Sequence, residues 1–348
     1  MEFEPKCMAI AIGSLPHTDI EKAVDLVLKY LPEAPIWPQL PKLAHAESMM
    51  IQYTEGMPCF KIDALNNKAF FDTSDDNYLD EVSTRFALAL NDAVDEFGIS
   101  EEFSKGFFAL SRRLGESFPD SIKILKGHVT GPISFGLSVH DETGRSILYN
   151  DNLKDVIIKI LGLKAKWQVN ELRKINPDVQ PMIFFDEPYL TQIGTPFISL
   201  NKDDAIDILN SCLDEVDGLT GIHVCGNSDW SLVTATNTDI INFDAYTYPE
   251  TLSLYPDEIR RFLDRGGMIA WGITPSTPDI SDETAESILS IFENAVDLVC
   301  KAGFDKSFIL ERSFVSPSCG TGSLTESLAE RVFELNFGVS ELIRKKYF

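Results

Sequence analysis

Short apolar runs alternate with amphipathic segments along this chain, and this alternation constrains the fold more than any other feature. Eight strand-like runs occur, at Cys7–Ile12, Ala34–Trp37, Ile122–Gly127, Met182–Phe185, Gly221–Val224, Ile240–Phe243, Met268–Trp271 and Phe308–Leu310. Helical periodicity fills most gaps, over Asp19–Tyr30, Tyr78–Phe97, Leu153–Asn176, Asp203–Val216, Pro256–Arg265, Ala285–Ala302 and Leu324–Lys346. The alternation predicts a parallel sheet, and eight strands favour an α/β fold of the (β/α)8 TIM-barrel type.

The length fits one such barrel. A barrel needs roughly 250 residues, and the chain has 348, so we expect a single domain over residues 1–348. Residues 49–77 depart from the rhythm, with turn-forming residues at 56–58 and 72–77. We interpret them as an insertion after the second strand, which either helps to cover the active site or forms a structural hairpin. Gly266, Gly267 and Gly303 are the expected helix stops.

Charge excludes several classes of partner. Lys and Arg number 30 against 54 Asp and Glu, a net charge of −24, which argues against nucleic acid and against anionic membrane surfaces. No apolar run approaches the ~20 residues of a membrane span. The acidic start, Met1–Pro5, lacks the regions of a signal peptide. We therefore expect a cytoplasmic protein with no membrane partner.

His223, Cys225 and Cys319 are the residues whose chemistry is most specific. His223 and Cys225 are two apart, so on an extended strand their side chains share a face. Imidazole and thiolate are the ligands that Zn²⁺ prefers, and three protein ligands with one replaceable position are typical of a catalytic site. A substrate thiol that enters such a site becomes a nucleophile. By themselves, the three residues are also compatible with an ordinary core.

Polar residues follow most of the predicted strands at their carboxyl ends. In a barrel these ends form one face, which holds the active site. The residues concerned are Gly13, Ser14, Thr130, Asp186, Glu187, His223, Cys225, Asp244, Thr274, Ser276 and Cys319.

Five motifs stand in order along the chain: Ala11–Pro16, Val129–Pro132, Phe185–Pro188, His223–Asn227 and Ser316–Gly320. In the order and spacing of these motifs, the chain resembles the catalytic barrel of cobalamin-independent methionine synthases. Those synthases belong to a superfamily that also includes uroporphyrinogen decarboxylase and methylcobamide:thiol methyltransferases. The resemblance covers nearly the whole chain and corresponds to one barrel only, as in a core-type enzyme. Full-length synthases carry a second, N-terminal barrel.

The resemblance implies a zinc site. His223, Cys225 and Cys319 would be ligands, and a carboxylate at the end of the sixth strand would complete the resting site. Asp244 occupies that position, where the synthases have Glu. The alternative for Asp244 is an acid that does not touch the metal.

The resemblance also implies an amino-acid subsite. Asp186 would bind the α-ammonium of the substrate, and Ser14 and the carbonyl of Ile12 would contact the same end. Glu47 would supply a second carboxylate. The alternatives are that Asp186 caps the following segment or orients His223, and that Glu47 is a surface charge.

One departure from the family concerns the methyl donor. Folate-using synthases carry a His, the general acid for the folate leaving group, where this chain has Ile273. A corrinoid leaves without protonation, so Ile273 favours a methylcorrinoid donor. In the alternative, His17, His45 or His128 supplies the acid from another direction.

These observations predict a zinc-dependent methyltransferase that converts homocysteine to methionine. The expected cofactor is one Zn²⁺ per chain, the expected partner is a small corrinoid protein, and we expect a monomer. The main alternative is a methylcobamide:coenzyme M-type enzyme that methylates another thiol. Porphyrin decarboxylation and a non-enzymatic zinc-binding or homocysteine-sensing module are further alternatives.

Overall fold

A computed structural model describes residues 3–63 and 68–348. The strands are β1 Met8–Ala9, β2 Phe60–Asp63, β3 Lys68–Phe71, β4 Ile124–Thr130, β5 Gln180–Asp186, β6 Leu219–Val224, β7 Ile240–Phe243, β8 Met268–Thr274 and β9 Ser313–Pro317. The α-helices are α1 Ile20–Tyr30, α2 Tyr78–Leu90, α3 Lys105–Glu116, α4 Pro132–Ser138, α5 Lys154–Ile175, α6 Lys202–Leu213, α7 Trp230–Val233, α8 Pro256–Asp264, α9 Ala285–Lys301, α10 Lys306–Glu311 and α11 Glu326–Tyr347. Short 3-10 turns lie at His45–Glu47, Ile51–Tyr53, Val94–Phe97, Ile147–Tyr149, Pro188–Gln192, Thr251–Leu254 and Pro278–Asp282.

The main sheet is curled and parallel, with strand order β1-β9-β8-β7-β6-β5-β4 and helices in most of the connections. The predicted α/β class and the parallel sheet are confirmed. Local signals set the helix ends: Asp19 accepts a hydrogen bond from Lys22 N at the start of α1. Gly266 and Gly303 adopt positive φ just after α8 and α9, as expected of helix stops.

The predicted second strand, Ala34–Trp37, forms isolated bridges rather than a strand. Ile36 pairs in parallel with Lys126 on β4, and Gln39 pairs with Ser14 beyond β1. The segment therefore makes backbone hydrogen bonds towards both edges of the sheet. Prolines at 35 and 38 interrupt it, and a proline has no N–H to contribute to a continuous ladder.

The prediction of a strand at Phe308–Leu310 was wrong. These residues lie in α10, where Asp305 caps the helix by accepting a hydrogen bond from Phe308 N at 3.0 Å. The strand comes next, as β9, so the loop that carries Cys319 still follows the last strand. An apolar run of three residues fits a buried strand and a helical turn equally well, and its position in the sequence did not separate the two.

The insertion after residue 49 contains an antiparallel hairpin of β2 and β3. Phe71, at its end, is buried and bridges Asp141 beyond α4. At the start of the insertion, the Tyr53 hydroxyl donates to His128 O at 2.8 Å, and Thr130 Oγ1 donates to the carbonyl of residue 49 at 2.5 Å. These contacts attach the insertion to the carboxyl end of β4.

Buried apolar residues form one layer inside the curled sheet and others between the sheet and the helices. The inner cluster consists of Met8, Ile10, Ala34, Ile124, Met182, Phe184, Ile240, Met268, Ala270 and Phe314. Side chains alternate along a strand, so the polar residues two or four positions further on face the same interior. Within residues 3–63 and 68–348, no helix combines the length and apolar composition needed to cross a bilayer.

Candidate metal and substrate site

His223, Cys225 and Cys319 come together at the carboxyl ends of β6 and β9. Their ligand atoms, one ring nitrogen and two sulfurs, all lie within 4.8 Å of one another. His223 is 2% exposed, whereas Cys319 is half-buried and Cys225 is exposed. The group is thus anchored in the sheet on one side and accessible from the other.

Asn242 orients His223. The side-chain nitrogen of Asn242 donates to Ala270 O and to Ser316 Oγ, both at 2.8 Å. Its oxygen therefore faces His223 Nδ1, with which it forms a hydrogen bond, so Nδ1 carries the proton and Nε2 keeps a lone pair. Nε2 is buried and has no hydrogen-bond partner among the described residues. Metal-binding histidines are oriented in this way, through the ring nitrogen that does not bind the metal.

The two thiols share their proton unequally. The neighbouring Cys319 thiol and His223 imidazole lower the pKa of Cys225 to about 4. The contact with Cys225, together with burial, raises the pKa of Cys319 well above its usual range. A second thiolate at this position needs a compensating cation, which a divalent metal supplies. The donor set and the oriented Nε2 both fit Zn²⁺.

Asp244 follows β7, as predicted, but it does not belong to the group of three. Its Oδ1 accepts a hydrogen bond from Thr247 N at 2.9 Å. Burial raises the pKa of Asp244, and the charge of Cys225 acts in the same direction, so the carboxylate lies near the thiols. Ligation of a metal by Asp244 stays a prediction.

Asp186 ends β5 and is paired in register with Thr130 and His223 on the neighbouring strands. Its Oδ1 is buried and has no hydrogen-bond partner among the described residues. Burial raises the pKa of this carboxyl to about 6, although the charges of His223 and Lys126 oppose the shift. Asp186 therefore offers a free acceptor beside the cysteine and histidine group.

Glu187, the next residue, has the capping role that the sequence also allowed for Asp186. Its carboxylate accepts hydrogen bonds from Ile133 N at 2.9 Å, from Ser134 N at 2.8 Å and from Ser134 Oγ at 2.6 Å. These contacts satisfy the first turn of α4. The two acids of the Asp-Glu-Pro motif thus differ: Glu187 is committed to the fold, and Asp186 is available.

Ser14 lies against the loop that follows Cys319, and Ile12 lies beside Lys126 on β4. Ser14 packs against the loop after Cys319, where it accepts hydrogen bonds from Thr321 N at 2.9 Å and from Gly322 N at 3.3 Å. The carbonyl of Ile12, which the resemblance assigns to the substrate, accepts a hydrogen bond from Lys126 Nζ at 2.5 Å. Within this chain, that carbonyl already has a partner.

Glu47 is fully buried, so the alternative of a surface charge is wrong. Its carboxylate accepts hydrogen bonds from Leu40 N at 2.9 Å and from Lys105 N at 3.1 Å, at the start of α3. Burial raises the pKa of Glu47 against these two bonds. Contact between Glu47 and a substrate ammonium stays a prediction, because both oxygens already serve the backbone.

Ile273 is fully buried in the apolar layer that includes Trp271 and Phe292. It has no group that could protonate a leaving group. Among His17, His45 and His128, the alternative general acids, only His128 lies on a strand of the main sheet, β4.

Comparisons with known proteins match this chain to solved structures at low similarity. No family model matches the sequence, and no curated protein matches it. A B12-independent methionine synthase from Shewanella sp. W3-18-1, solved with selenomethionine, is similar with 18% identity and a TM-score of 0.44. The match covers 64% of this chain and 62% of that one, so it spans less than two thirds of the synthase.

Glycoside hydrolases are similar to this chain as well. A family 1 β-glucosidase from Thermotoga maritima has 12% identity and a TM-score of 0.36, over 94% of this chain and 86% of that one. PbGH5A, a family 5 enzyme from Prevotella bryantii B14, has 12% identity and a TM-score of 0.31, over 99% of both chains. At these identities and TM-scores, the likenesses do not indicate an activity.

Proposed function

We propose that this protein is a zinc-dependent methyltransferase that transfers a methyl group to the thiol of homocysteine and forms methionine. The observation that carries the proposal is the group of His223, Cys225 and Cys319, with Nε2 of His223 held free by Asn242. Asp186, an unpartnered acceptor, stands beside it. Ligands for a thiol-binding metal and an acceptor for an ammonium group are what a thiol amino acid requires.

The residues of the site would divide the work. His223, Cys225 and Cys319 would hold Zn²⁺, with Asp244 as a further carboxylate. When bound, zinc lowers the pKa of a coordinated thiol and so supplies a nucleophile at neutral pH. Asp186 would bind the substrate ammonium through a charge-assisted hydrogen bond. Fixing both ends of the acceptor places its sulfur for in-line attack on the methyl group.

The donor that we propose is a methylcorrinoid, free or carried by a small corrinoid protein. Support comes from Ile273, a buried apolar residue at the position where, by the resemblance, folate-using synthases have an acid. General acid catalysis typically contributes about 10²–10⁴ in rate, and a corrinoid leaving group does not need it.

We also propose that residues 33–39 close the sheet into an eight-stranded barrel in a monomeric, cytoplasmic, single-domain protein.

The proposal is tested by assaying methionine formation on metal-analysed protein. Homocysteine is offered with methylcobalamin and, in parallel, with methyltetrahydrofolate. We expect about one zinc per chain and methionine from methylcobalamin alone. Methionine from folate would contradict the corrinoid donor. Product from 2-mercaptoethanesulfonate but not from homocysteine would support the alternative acceptor.

A variant pair tests the site assignment in the same protein. Cys319→Ser removes one ligand and should abolish both stoichiometric zinc and methyl transfer. Cys300→Ser, a half-buried cysteine outside the group, should retain both. Stoichiometric zinc in Cys319→Ser would show that the metal is held elsewhere.

A further inference from the structure

Two basic side chains on β4, those of Lys126 and His128, face the interior of the curled sheet. Ile124 on β4 belongs to the inner apolar cluster, so Lys126 and His128, two and four residues further on, face the same interior. Each is 1% exposed. The function proposed above gives no role to either residue.

The Lys126 side chain is buried, and its Nζ donates one hydrogen bond within the described residues. Its Nζ donates to Ile12 O at 2.5 Å and lies 4.3 Å from the centre of the Phe184 ring. Among the described residues, it forms no ion pair within 4 Å. Burial lowers the pKa of Lys126 to about 7, while the charge of Asp186 opposes the shift. A buried ammonium with two further N–H groups calls for an anionic partner.

The ring of His128 is held by packing, and its two nitrogens form no hydrogen bond among the described residues. Its ring stacks on Trp37, with 3.9 Å between ring centres. On Gly13, a Cβ atom would lie 2.8 Å from the ring, so the backbone there closes over it. Gln168 fixes Trp37, accepting from its Nε1 at 2.8 Å. Both ring nitrogens of His128 are buried without a partner among the described residues, a cost that a ligand can remove.

Asp186 places an acceptor on the strand next to these donors. It stands on β5, the strand beside β4, two residues beyond the register partner of His128. The interior therefore presents an unpartnered carboxylate on one strand and two nitrogen donors on the next. Such an arrangement matches the separated charges of a zwitterionic α-amino acid head group.

We propose that Lys126 and His128 bind the carboxylate of the acceptor amino acid, opposite the ammonium on Asp186. The pair thereby determines specificity for carboxylate-bearing thiols. This inference rests on the proposed function and deepens it. A thiol that binds the metal but lacks the carboxylate makes no hydrogen bond with Lys126 or His128. The two residues therefore select acceptors by the carboxylate at the end away from the thiol.

Binding of three thiols to zinc-loaded protein, measured by calorimetry, tests the proposal. The probes are homocysteine, 4-mercaptobutanoate, which lacks the ammonium, and 3-aminopropane-1-thiol, which lacks the carboxylate. In Lys126→Met and in His128→Phe, the affinity for the two carboxylate-bearing thiols should fall roughly 10- to 100-fold, since a hydrogen bond to a charged group is lost. The affinity for 3-aminopropane-1-thiol should stay within about twofold, which also shows that the site is folded.

Lys164→Met is the matched control. Lys164 is another fully buried lysine with a pKa lowered to about 7, but it donates to Phe97 O and Gly98 O, outside the sheet interior. Its loss should leave the ranking of the three thiols unchanged. Equal weakening of all three thiols by Lys126→Met, or no weakening at all, would overturn the carboxylate assignment.

The two proposals fail in different ways. If wild-type protein binds none of the three thiols, both are rejected. If the thiols bind with the expected dependence on Lys126 but methyl transfer is absent, the carboxylate subsite stands and the proposed function falls.

Discussion

Asn242 on β7 lies between His223 on β6 and two acceptors, Ala270 O on β8 and Ser316 Oγ on β9, and its amide has a single orientation that satisfies all three. With its nitrogen committed to Ala270 O and Ser316 Oγ, only its oxygen can meet His223. The tautomer of a ligand is therefore set by the hydrogen bonds of a residue that binds no metal.

Replacing Asn242 should weaken metal binding without removing a ligand. In Asn242→Leu, His223 loses the acceptor that fixes its tautomer, and we expect zinc affinity to fall about 10- to 100-fold. Asn242→Asp retains an acceptor for Nδ1–H and should lie closer to the wild type. Competition with a chelator of known affinity measures both. Equal zinc affinity in wild type and Asn242→Leu would contradict the role given to this residue.

At the residue scale, the sequence predicted what depends on spacing along one strand. His223 and Cys225 are two apart, and the polar ends of β5, β6 and β9 converge because the strands are parallel. Asn242 and Lys126 were missed, since their roles depend on the register between strands. The available signal was a polar residue at an inward position: Asn242 between two apolar neighbours, and Lys126 two residues before His128 in a buried run.

At the scale of elements, segment 33–39 is a case in which the apolar pattern of the sequence does not predict how the backbone pairs. Its prolines prevent a full strand, so its placement depends on packing from outside. Helix α3 supplies that packing, because Gly106 lies directly against the carbonyl of Pro38. The sequence predicted neither α3 nor this contact; a glycine within a helical pattern was the only trace of it.

Paired glycine substitutions in α3 test the contact. A Cβ atom on Gly106 would lie 1.9 Å from Pro38 O, so Gly106→Ala must displace the segment that bridges both edges of the sheet. We expect a loss of roughly 2–3 kcal/mol in the free energy of unfolding. Gly115→Ala, in the same helix, meets nothing within 4 Å and should be neutral or stabilising by up to about 1 kcal/mol. Similar unfolding midpoints for the two variants would rule out close packing at Gly106.

At the scale of the whole molecule, the interior of the sheet changes character along the strands. Its amino-terminal part is apolar, with Met8, Met182 and Met268 among its members. Its carboxyl-terminal part holds the donors and acceptors of the site. The apolar part stabilises the fold by burial, so the buried polar groups of the other part remain available to bind ligands. This division predicts how the protein responds when metal is withdrawn.

Removing zinc should abolish methyl transfer and leave the fold in place. The strands that carry the ligands are hydrogen-bonded into the sheet on both sides, and Ser318 N is bonded to Thr274 O at 2.8 Å, so the loop of Cys319 is positioned by backbone contacts. Free zinc at 100 to 1,000 times its Kd stabilises a protein by about 2.7–4.1 kcal/mol. For a chain of this size, we expect a fall of several degrees in Tm on chelation, with an unchanged far-ultraviolet circular dichroism spectrum and recovery of activity when zinc is returned. Loss of the α/β spectrum in the chelated protein would mean instead that the metal is structural, as in small zinc domains that unfold without it.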